Sequence, residues 1–394
     1  MTIGRSAGGW LETKPEHRPA CATRRHGTPG LILQAPKRDT KMDFATGDRL
    51  RAAAHALAEA TVALDYEERP FLSDRYGEAG CVNYRRDILH NVDYLSSAID
   101  AEEPELFAGY IAWAKTLLLS RNVSTEDIAQ GLRCFIRALR QHPNHKHFDV
   151  AEAYVARALE QLPSMPEEVP SFIDPEAPLA PLAQACLDAM LRLDRGGAME
   201  ALEQALSAGT SFLEIYGNVL PMVMREAGRL WQLNEISMAH EHYCAGVIQL
   251  ISSRFYDRIC SAGRAGRRSI VFACVEGETH ELGARIAADV FDLSGWQTHF
   301  LGANLPAREL VALLAKRPPN AVGLSITVPT NFKQLIMTIE AIRDSPATSQ
   351  LPIMVGGFTL VRNARLAGII GADYCAADVA SALAWAEQSA GDSH

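Results

Sequence analysis

The 394-residue chain is 48% hydrophobic and carries a formal net charge of −9. Apolar content of that size supports packed cores in two or three domains and excludes wholesale disorder. The acidic balance disfavours a nucleic-acid-binding surface on the body, and no run of about 20 apolar residues is present to span a membrane.

Residues 1–41 run against this trend, with eight Lys/Arg, three Asp/Glu, four Pro and five Gly. They show no helical periodicity. They read as a disordered tail, or as sequence upstream of a natural start at Met42, with a basic arm touching nucleic acid as the lesser reading. They lack the apolar core of a secretory signal. Eight cysteines are scattered without a CxxC pair, which points to free thiols in a reducing cytoplasm and against a zinc site.

Residues 43–162 have apolar positions at three and four spacing, as in DRLRAAAHALAEATVALDYEE and ELFAGYIAWAKTLLLSR, and read as a helical domain. Ser124 ahead of Glu126 and Asp127 marks a helix start. Residues 163–181, PSMPEEVPSFIDPEAPLAP, hold six prolines and predict a stiff, extended linker. Residues 182–258 are helical again. Gly196-Gly197 and Gly209 are expected to separate four helices of a small bundle. From 268 to 390 short apolar runs alternate with helical periods: SIVFACV, QTHFLGA, NAVGLSI, LPIMVGG and ADYCAA. This predicts a doubly wound, five-stranded parallel sheet with ligand at the strand C-termini.

The loop after the first strand reads EGETHELG. It places His280 just beyond a strand end and Gly283 at the start of the next helix. Forty-one residues later come Ser325-Ile326-Thr327 at the end of another strand, and 28 residues after those come Gly356-Gly357. Each piece alone is weak, since a loop histidine is usually solvated and a Gly-Gly is usually a turn. Together they put a metal-ligand imidazole, a hydroxyl pair and a slot free of side chains around one cavity.

This set resembles the cobalamin-binding domain, whose D-x-H-x-x-G, S-x-L and G-G elements follow in the same order at similar spacing. The resemblance implies that His280 ligates cobalt from below. Ser325, Thr327, Gly356 and Gly357 would line the slot for the cofactor's nucleotide tail. Glu278, Thr279, Glu281, Leu282 and Gly283 would surround the ligand loop, and Tyr374 would close the far end of the tail. Two positions depart from the family pattern. Glu278 replaces Asp as partner of the histidine's second nitrogen, with one more methylene to place, and Thr327 replaces Leu.

The bundle carries WQLNEISMAHEH, in which nine residues separate Trp231 from Glu241-His242. Taken alone, these are a core anchor and helix-surface residues. Ahead of a cobalamin domain, the spacing resembles that of light-sensing CarH-type cobalamin proteins. The resemblance implies that Trp231 lays an aromatic face over an adenosyl group, with Glu241 and His242 beside it. Some members of that family carry a histidine directly after the tryptophan, where this chain has Gln232. A second imidazole would then come from His240 or His242.

Residues 43–162 lack a Lys/Arg-rich recognition helix, so no direct DNA-binding domain is expected. They instead cluster Arg75, Tyr76, Tyr84, Arg85, Arg86, Asp87, His90 and Tyr94, with Trp113 on the next helix. One reading is a helical dimerisation or signalling domain. The other is a site for a planar anionic chromophore. The whole arrangement resembles photocobilins, which bind cobalamin together with a bilin. That implies adenosylcobalamin and a biliverdin-like second chromophore held by Arg75, Tyr76, Tyr84, Arg85, Arg86 and His90. Cys81 is a candidate attachment point, although lone cysteines are more often inert.

The leading expectation is therefore a cytoplasmic, homo-oligomeric, light-sensing cobalamin receptor, not itself an enzyme, that signals to a partner protein or transcription factor. The alternative is a corrinoid methyl-carrier of a methyltransferase system. A mutase is disfavoured because no (β/α)8 barrel of about 250 residues is present.

Overall fold

In a computed structural model of the protein, the described residues are 42–262, 268–361 and 363–391. The reading of the basic first 41 residues lies outside them.

The chain first forms six helices: α1 (Ala45–Ala52), α2 (Ala54–Glu68), α3 (Phe71–Asp100), α4 (Pro104–Leu119), α5 (Thr125–Gln141) and α6 (Asp149–Gln161). Ser124 starts α5 as expected. Its hydroxyl accepts from Asp127 N at 3.1 Å, and the Asp127 carboxylate accepts from Ser124 N at 3.3 Å. These reciprocal bonds satisfy two otherwise orphaned amides. The long α3 is broken near its start at Gly77, whose φ of 62° suits a residue without a side chain.

The Pro-rich segment expected to be a stiff, extended linker is also docked on the helices at either end. Met165 is buried in the first helical core, and Ile173 is buried in the second. Phe172 N donates to Glu226 at 2.8 Å, and Arg229 donates to Val169 O at 3.3 Å. Apolar anchors at intervals fasten an otherwise extended strip to the helices it joins.

The second helical unit comprises α7 (Ala180–Leu191), α8 (Arg195–Ser207), α9 (Phe212–Glu214), α10 (Leu220–Gln232) and α11 (Met238–Ala262). A π-helical turn, Ile215–Val219, runs α9 into α10, so four long rods result. Gly209, at φ 104°, follows the end of α8 as expected. Gly196 and Gly197 do not separate helices. They occupy the first turn of α8, where Asp194 caps Gly197 N at 2.8 Å.

The third unit is a five-stranded parallel sheet in the order β2-β1-β3-β4-β5. The strands are β1 (Ser269–Cys274), β2 (Gln297–Phe300), β3 (Ala321–Ser325), β4 (Ile353–Gly356) and β5 (Tyr374–Cys375). Helices α12 (Leu282–Leu293), α13 (Ala307–Lys316), α14 (Phe332–Asp344), α15 (Phe358–Val361), α16 (Ala364–Ile369) and α17 (Val379–Gly391) complete it. The central strands are almost wholly buried apolar runs, as a sheet covered on both faces requires. The strand order reverses between β1 and β3, so a crevice opens beyond their C-terminal ends. No described helix is long and apolar enough to cross a membrane.

The helical bundle packs on α12, whose Ile286 and Val290 enter the bundle core. That seam also buries Asp289, which accepts from Arg285 at 2.9 Å through one oxygen while the other has no partner. Burial, only partly opposed by Arg285, pushes its carboxyl up to about 6. A carboxyl raised in the fold adds stability below its ordinary value near 3.8, and that stability is lost as pH rises through about 6. Asp289→Asn is therefore expected to be more stable than wild type at pH 7.5, by up to about 3 kcal/mol, and equally stable near pH 3.5. Urea unfolding at the two pH values checks this. A difference that does not change with pH contradicts it.

Candidate functional site

The crevice beyond β1 and β3 is built around Glu278. After β1 the chain turns at Gly277 (φ 83°), where a Cβ would lie 3.0 Å from Asn331 Oδ1. The turn sends the Glu278 side chain inward until it is wholly buried. One carboxylate oxygen accepts from His280 N at 2.8 Å and lies 2.7 Å from His280 Nδ1. The other accepts from Thr327 N at 2.6 Å, Val328 N at 3.3 Å and Asn331 Nδ2 at 3.0 Å. Burial alone would raise this carboxyl. The bonds from His280, Thr327 and Asn331 overturn that and hold it down at about 2.

The carboxylate fixes the imidazole. With Nδ1–H donated to Glu278, the His280 ring is held as the tautomer whose Nε2 lone pair faces outward. The Glu278 hydrogen bond is the main cause of the raised His280 basicity, which burial opposes and the charges of Glu278 and Glu241 reinforce. The His280 side chain is 58% exposed while its carboxylate partner is 0% exposed. A buried carboxylate behind an outward imidazole is the donor arrangement of a single-histidine metal ligand. The extra methylene of Glu278 is accommodated, and the tautomer-fixing bond is made.

The two glycines expected to line a slot play different parts. Gly357 has φ 116°, and a Cβ there would stand 1.9 Å from Ile326 O, so its backbone presses against the chain leaving β3. A Cβ at neighbouring Gly356 would meet nothing within 4 Å. Gly356 pairs with Ser325 across the two strand ends, so the open space at Gly356 lies next to Ser325 in the sheet. Gly283 likewise faces open space. Thr279 is exposed on the ligand loop. Glu281 is hydrogen-bonded to Gln249 of α11 at 3.5 Å, and Leu282 packs against the bundle core.

Thr327 is engaged through its backbone, and Tyr374 falls elsewhere than expected. The backbone N–H of Thr327 serves Glu278, and its carbonyl accepts from Thr359 at 2.8 Å. Tyr374 is 3% exposed and stacked on Trp385 at 5.3 Å, inside the core between the sheet and α17. It follows a Gly-Ala turn but its apolar ring is drawn inward, so it is a packing residue rather than a wall of the slot.

The bundle places Glu241 near enough to His280 for its charge to be felt. Glu241 is half-buried and lies 3.9 Å from the exposed His242. His240 is held locally by the Ser237 hydroxyl at 2.8 Å. Trp231, at the C-terminus of α10, stands 6.2 Å from Trp113 of α4, with the Arg121 guanidinium 5.7 Å from its ring. Gln232 is buried and turned away, donating to Trp113 O at 3.1 Å and to the Thr116 hydroxyl. Arg121 was not singled out in the sequence. It follows an ordinary helix end, and only its long-range partners mark it.

The polar cluster expected on α3 splits. Arg75 lies 3.4 Å from Asp127, Tyr84 donates to Asp65 at 2.8 Å, and Arg85 pairs with Glu59 at 2.6 Å, all inside the first helical unit. The Tyr76 hydroxyl is buried beside them without a partner, under Arg75. Arg75 and Tyr84 thus bond the carboxylates of Asp127 and Asp65, which Arg69 bridges at 2.6 and 2.7 Å, and Arg85 is engaged by Glu59. Arg86 and His90 instead gather with Asp87 near Arg121. Burial pushes the Asp87 carboxyl up against the opposing charges of His90, Arg86 and Arg121. Cys81 is a half-buried free thiol.

The B12 binding domain family matches this chain twice, over residues 268–384 and over residues 182–254. Residues 182–384 carry a cobalamin-binding module. The dimethylamine corrinoid protein 2 of Methanosarcina mazei is 24% identical over 209 residues, covering 52% of this chain and 96% of its own length. The trimethylamine corrinoid protein 1 of Methanosarcina acetivorans is 25% identical over 190 residues, covering 47% and 86%. Among solved structures, the Methanosarcina barkeri monomethylamine corrinoid protein is similar at 20% identity and a TM-score of 0.47, covering 53% of this chain and 99% of that one. The donor set fits a corrinoid cobalt: one exposed imidazole held at Nδ1 by a buried carboxylate, with open space at Gly283 and Gly356. His280 would hold the metal, and the bundle would cover its opposite face.

Proposed function

We propose that this protein is a cobalamin-based sensor in which the bundle encloses the upper face of the cofactor and the first helical unit reads its state. One observation carries the reading: Trp231, the bundle residue expected over the upper ligand, sits tilted against Trp113 at 6.2 Å and is gripped by Arg121 of that helical unit. A carrier must present the same face to partner enzymes, and this grip opposes opening. A bound adenosylcobalamin would supply a light-sensitive cobalt–carbon bond, and Trp231, held by Arg121, would couple a change at the upper ligand to the packing of α10 against α4. Arg86, Asp87, His90 and Trp113 supply charge and an aromatic wall at the same junction, which supports a bilin as second chromophore there, with output through a partner protein.

The comparisons favour a second reading. The relatives are corrinoid proteins named for methylamines, and the likeness covers the module alone, so it speaks for a methyl-carrier more directly than for light sensing. In that role His280 and Glu278 would tune a cobalt that accepts and donates a methyl group to methyltransferase partners.

Absorption of the full chain loaded with adenosylcobalamin in the dark, alone and with biliverdin, recorded before and after illumination, separates the two. The sensor is expected to show a His-on spectrum that changes with light, together with altered elution on size exclusion. Light-inert cobalamin, or a bound methylcobalamin that passes its methyl group to a thiol acceptor through a methyltransferase, points to the carrier.

A further inference from the structure

The C-terminal end of α10 has carbonyls with no partner within the helix, as every helix end does. Here the local turn serves some of them, with Leu233 N bonded to Arg229 O, Glu235 N to Leu230 O and Asn234 N to Trp231 O, while the last two carbonyls also accept from the first helical unit. Arg121 donates to Gln232 O at 3.0 Å and to Trp231 O at 3.2 Å, and the Ser120 hydroxyl donates to Gln232 O at 3.1 Å. Arg121 also donates to Leu117 O at 2.8 Å, so the guanidinium bridges the ends of α4 and α10. In return Gln232, 7% exposed, sends its amide to Trp113 O and the Thr116 hydroxyl. The bonds run both ways across one joint, and the two indoles meet beside it, tilted at 33° with centroids 6.2 Å apart. A cation placed on helix-terminal carbonyls is favoured by the helix dipole as well as by the hydrogen bonds. Exposed polar pairs contribute little, but this joint is partly desolvated and forked, so it is stiff.

Beyond the joint lies Trp231, and behind Trp113 a stack runs through Tyr110 at 6.2 Å to Tyr94 at 3.9 Å. Displacing Trp231 therefore breaks the Arg121 fork and the Gln232 amide bonds together. We propose that Arg121 and Gln232 are positioning residues through which the first helical unit fixes where Trp231 sits, and so which upper ligand the module accepts. This rests on the reading that the upper face of a cobalamin lies under Trp231. The aromatic face is useful to a bulky, planar-tipped ligand only if it is held at one height. Freed from α4, Trp231 would follow the bundle and tolerate a small ligand equally well.

The test uses the full chain and two readouts. In the cofactor-free protein, the exciton couplet of the Trp113–Trp231 pair in ultraviolet circular dichroism reports the joint, with Trp113→Phe defining its loss. Retention of adenosylcobalamin against methylcobalamin, in the dark, reports selectivity. Arg121→Ala and Gln232→Ala are expected to lose the couplet and to lower the adenosyl preference about tenfold, the factor expected when one charge-assisted bond is removed. Arg121→Lys keeps the charge but not the fork and is expected to fall between. If the alanine variants do not fold, the lysine variant alone decides. Wild-type couplet and preference in it overturn the proposal, as does a lost couplet with unchanged preference. A wild type that binds no cobalamin refutes the underlying reading instead, and the couplet then still reports whether Arg121 holds Trp231.

Discussion

His280→Ala is expected to abolish retention of cobalamin through gel filtration, lowering affinity at least about 100-fold, and to remove any His-on absorption from what binds. The expectation rests on the geometry behind the ring. Glu278 is buried, ionised and committed by five hydrogen bonds, two of them to His280 itself. That environment ties the loop after β1 to the segment after β3 and, through the same carboxylate, holds the imidazole by its Nδ1. Glu278→Gln separates ligation from support. The amide occupies the same volume but donates where Thr327, Val328 and Asn331 also donate, so weaker retention of about 10- to 100-fold is expected with the histidine still present. Isothermal titration with aquacobalamin checks both variants. Unchanged affinity and spectra in His280→Ala would falsify the lower-ligand assignment.

Gly357→Ala is expected to produce the largest loss of stability of any single substitution in the sheet domain, about 3 kcal/mol or more. Two penalties coincide at this residue. A φ of 116° lies where side chains are rarely tolerated, and the new Cβ would stand 1.9 Å from Ile326 O, a backbone atom that cannot swing aside. Ile326 belongs to the segment that supplies the Thr327 N–H to Glu278, so relief of the clash would loosen the histidine as well. Gly356→Ala supplies the contrast. It has free space around the added methyl, so the fold should tolerate it while the methyl narrows that space. Thermal unfolding and cobalamin titration of both variants give the expected pattern: Gly357→Ala loses stability first, and Gly356→Ala loses affinity with little change in melting. Equal melting of the two variants contradicts this account of the glycines.

The parallel sheet and the ligand loop were legible because their signals are local. Apolar runs of strand length, a histidine just past a strand end and glycines after β4 each follow from short-range chemistry, and the spacing tied them together. The capping box at Ser124 was legible for the same reason. Other features depend on contacts between residues far apart in sequence. Tyr374 carries a polar group next to a turn and read as a ligand contact, yet its ring completes a stack with Trp385. Arg75, Tyr84 and Arg85 looked like an anion site because they are clustered on α3. Their partners Asp127, Asp65 and Glu59 lie on other helices and could not be paired from spacing. The Pro-rich stretch read as a spacer because proline frequency says nothing about the occasional Met165 or Ile173 that docks it. Gln232 was noted only for not being histidine. Its burial against Trp113 and Thr116 shows a position recruited for something else.

The first helical unit touches the module at two places. Above, it holds Trp231; below, α3 packs against the turn Pro329–Asn331, whose Asn331 bonds Glu278, and Tyr94 lies close enough to feel that carboxylate. A single body that contacts both Trp231 and the turn bonded to Glu278 would obey reciprocity: any factor by which a bound cofactor shifts the helical unit would be the factor by which a molecule bound to that unit shifts affinity for the cofactor. Cobalamin affinity is thus an outside reporter of whatever docks on the helices. A protein that strengthens or weakens cofactor retention when mixed with the loaded chain is, by that measure, coupled to the cobalt.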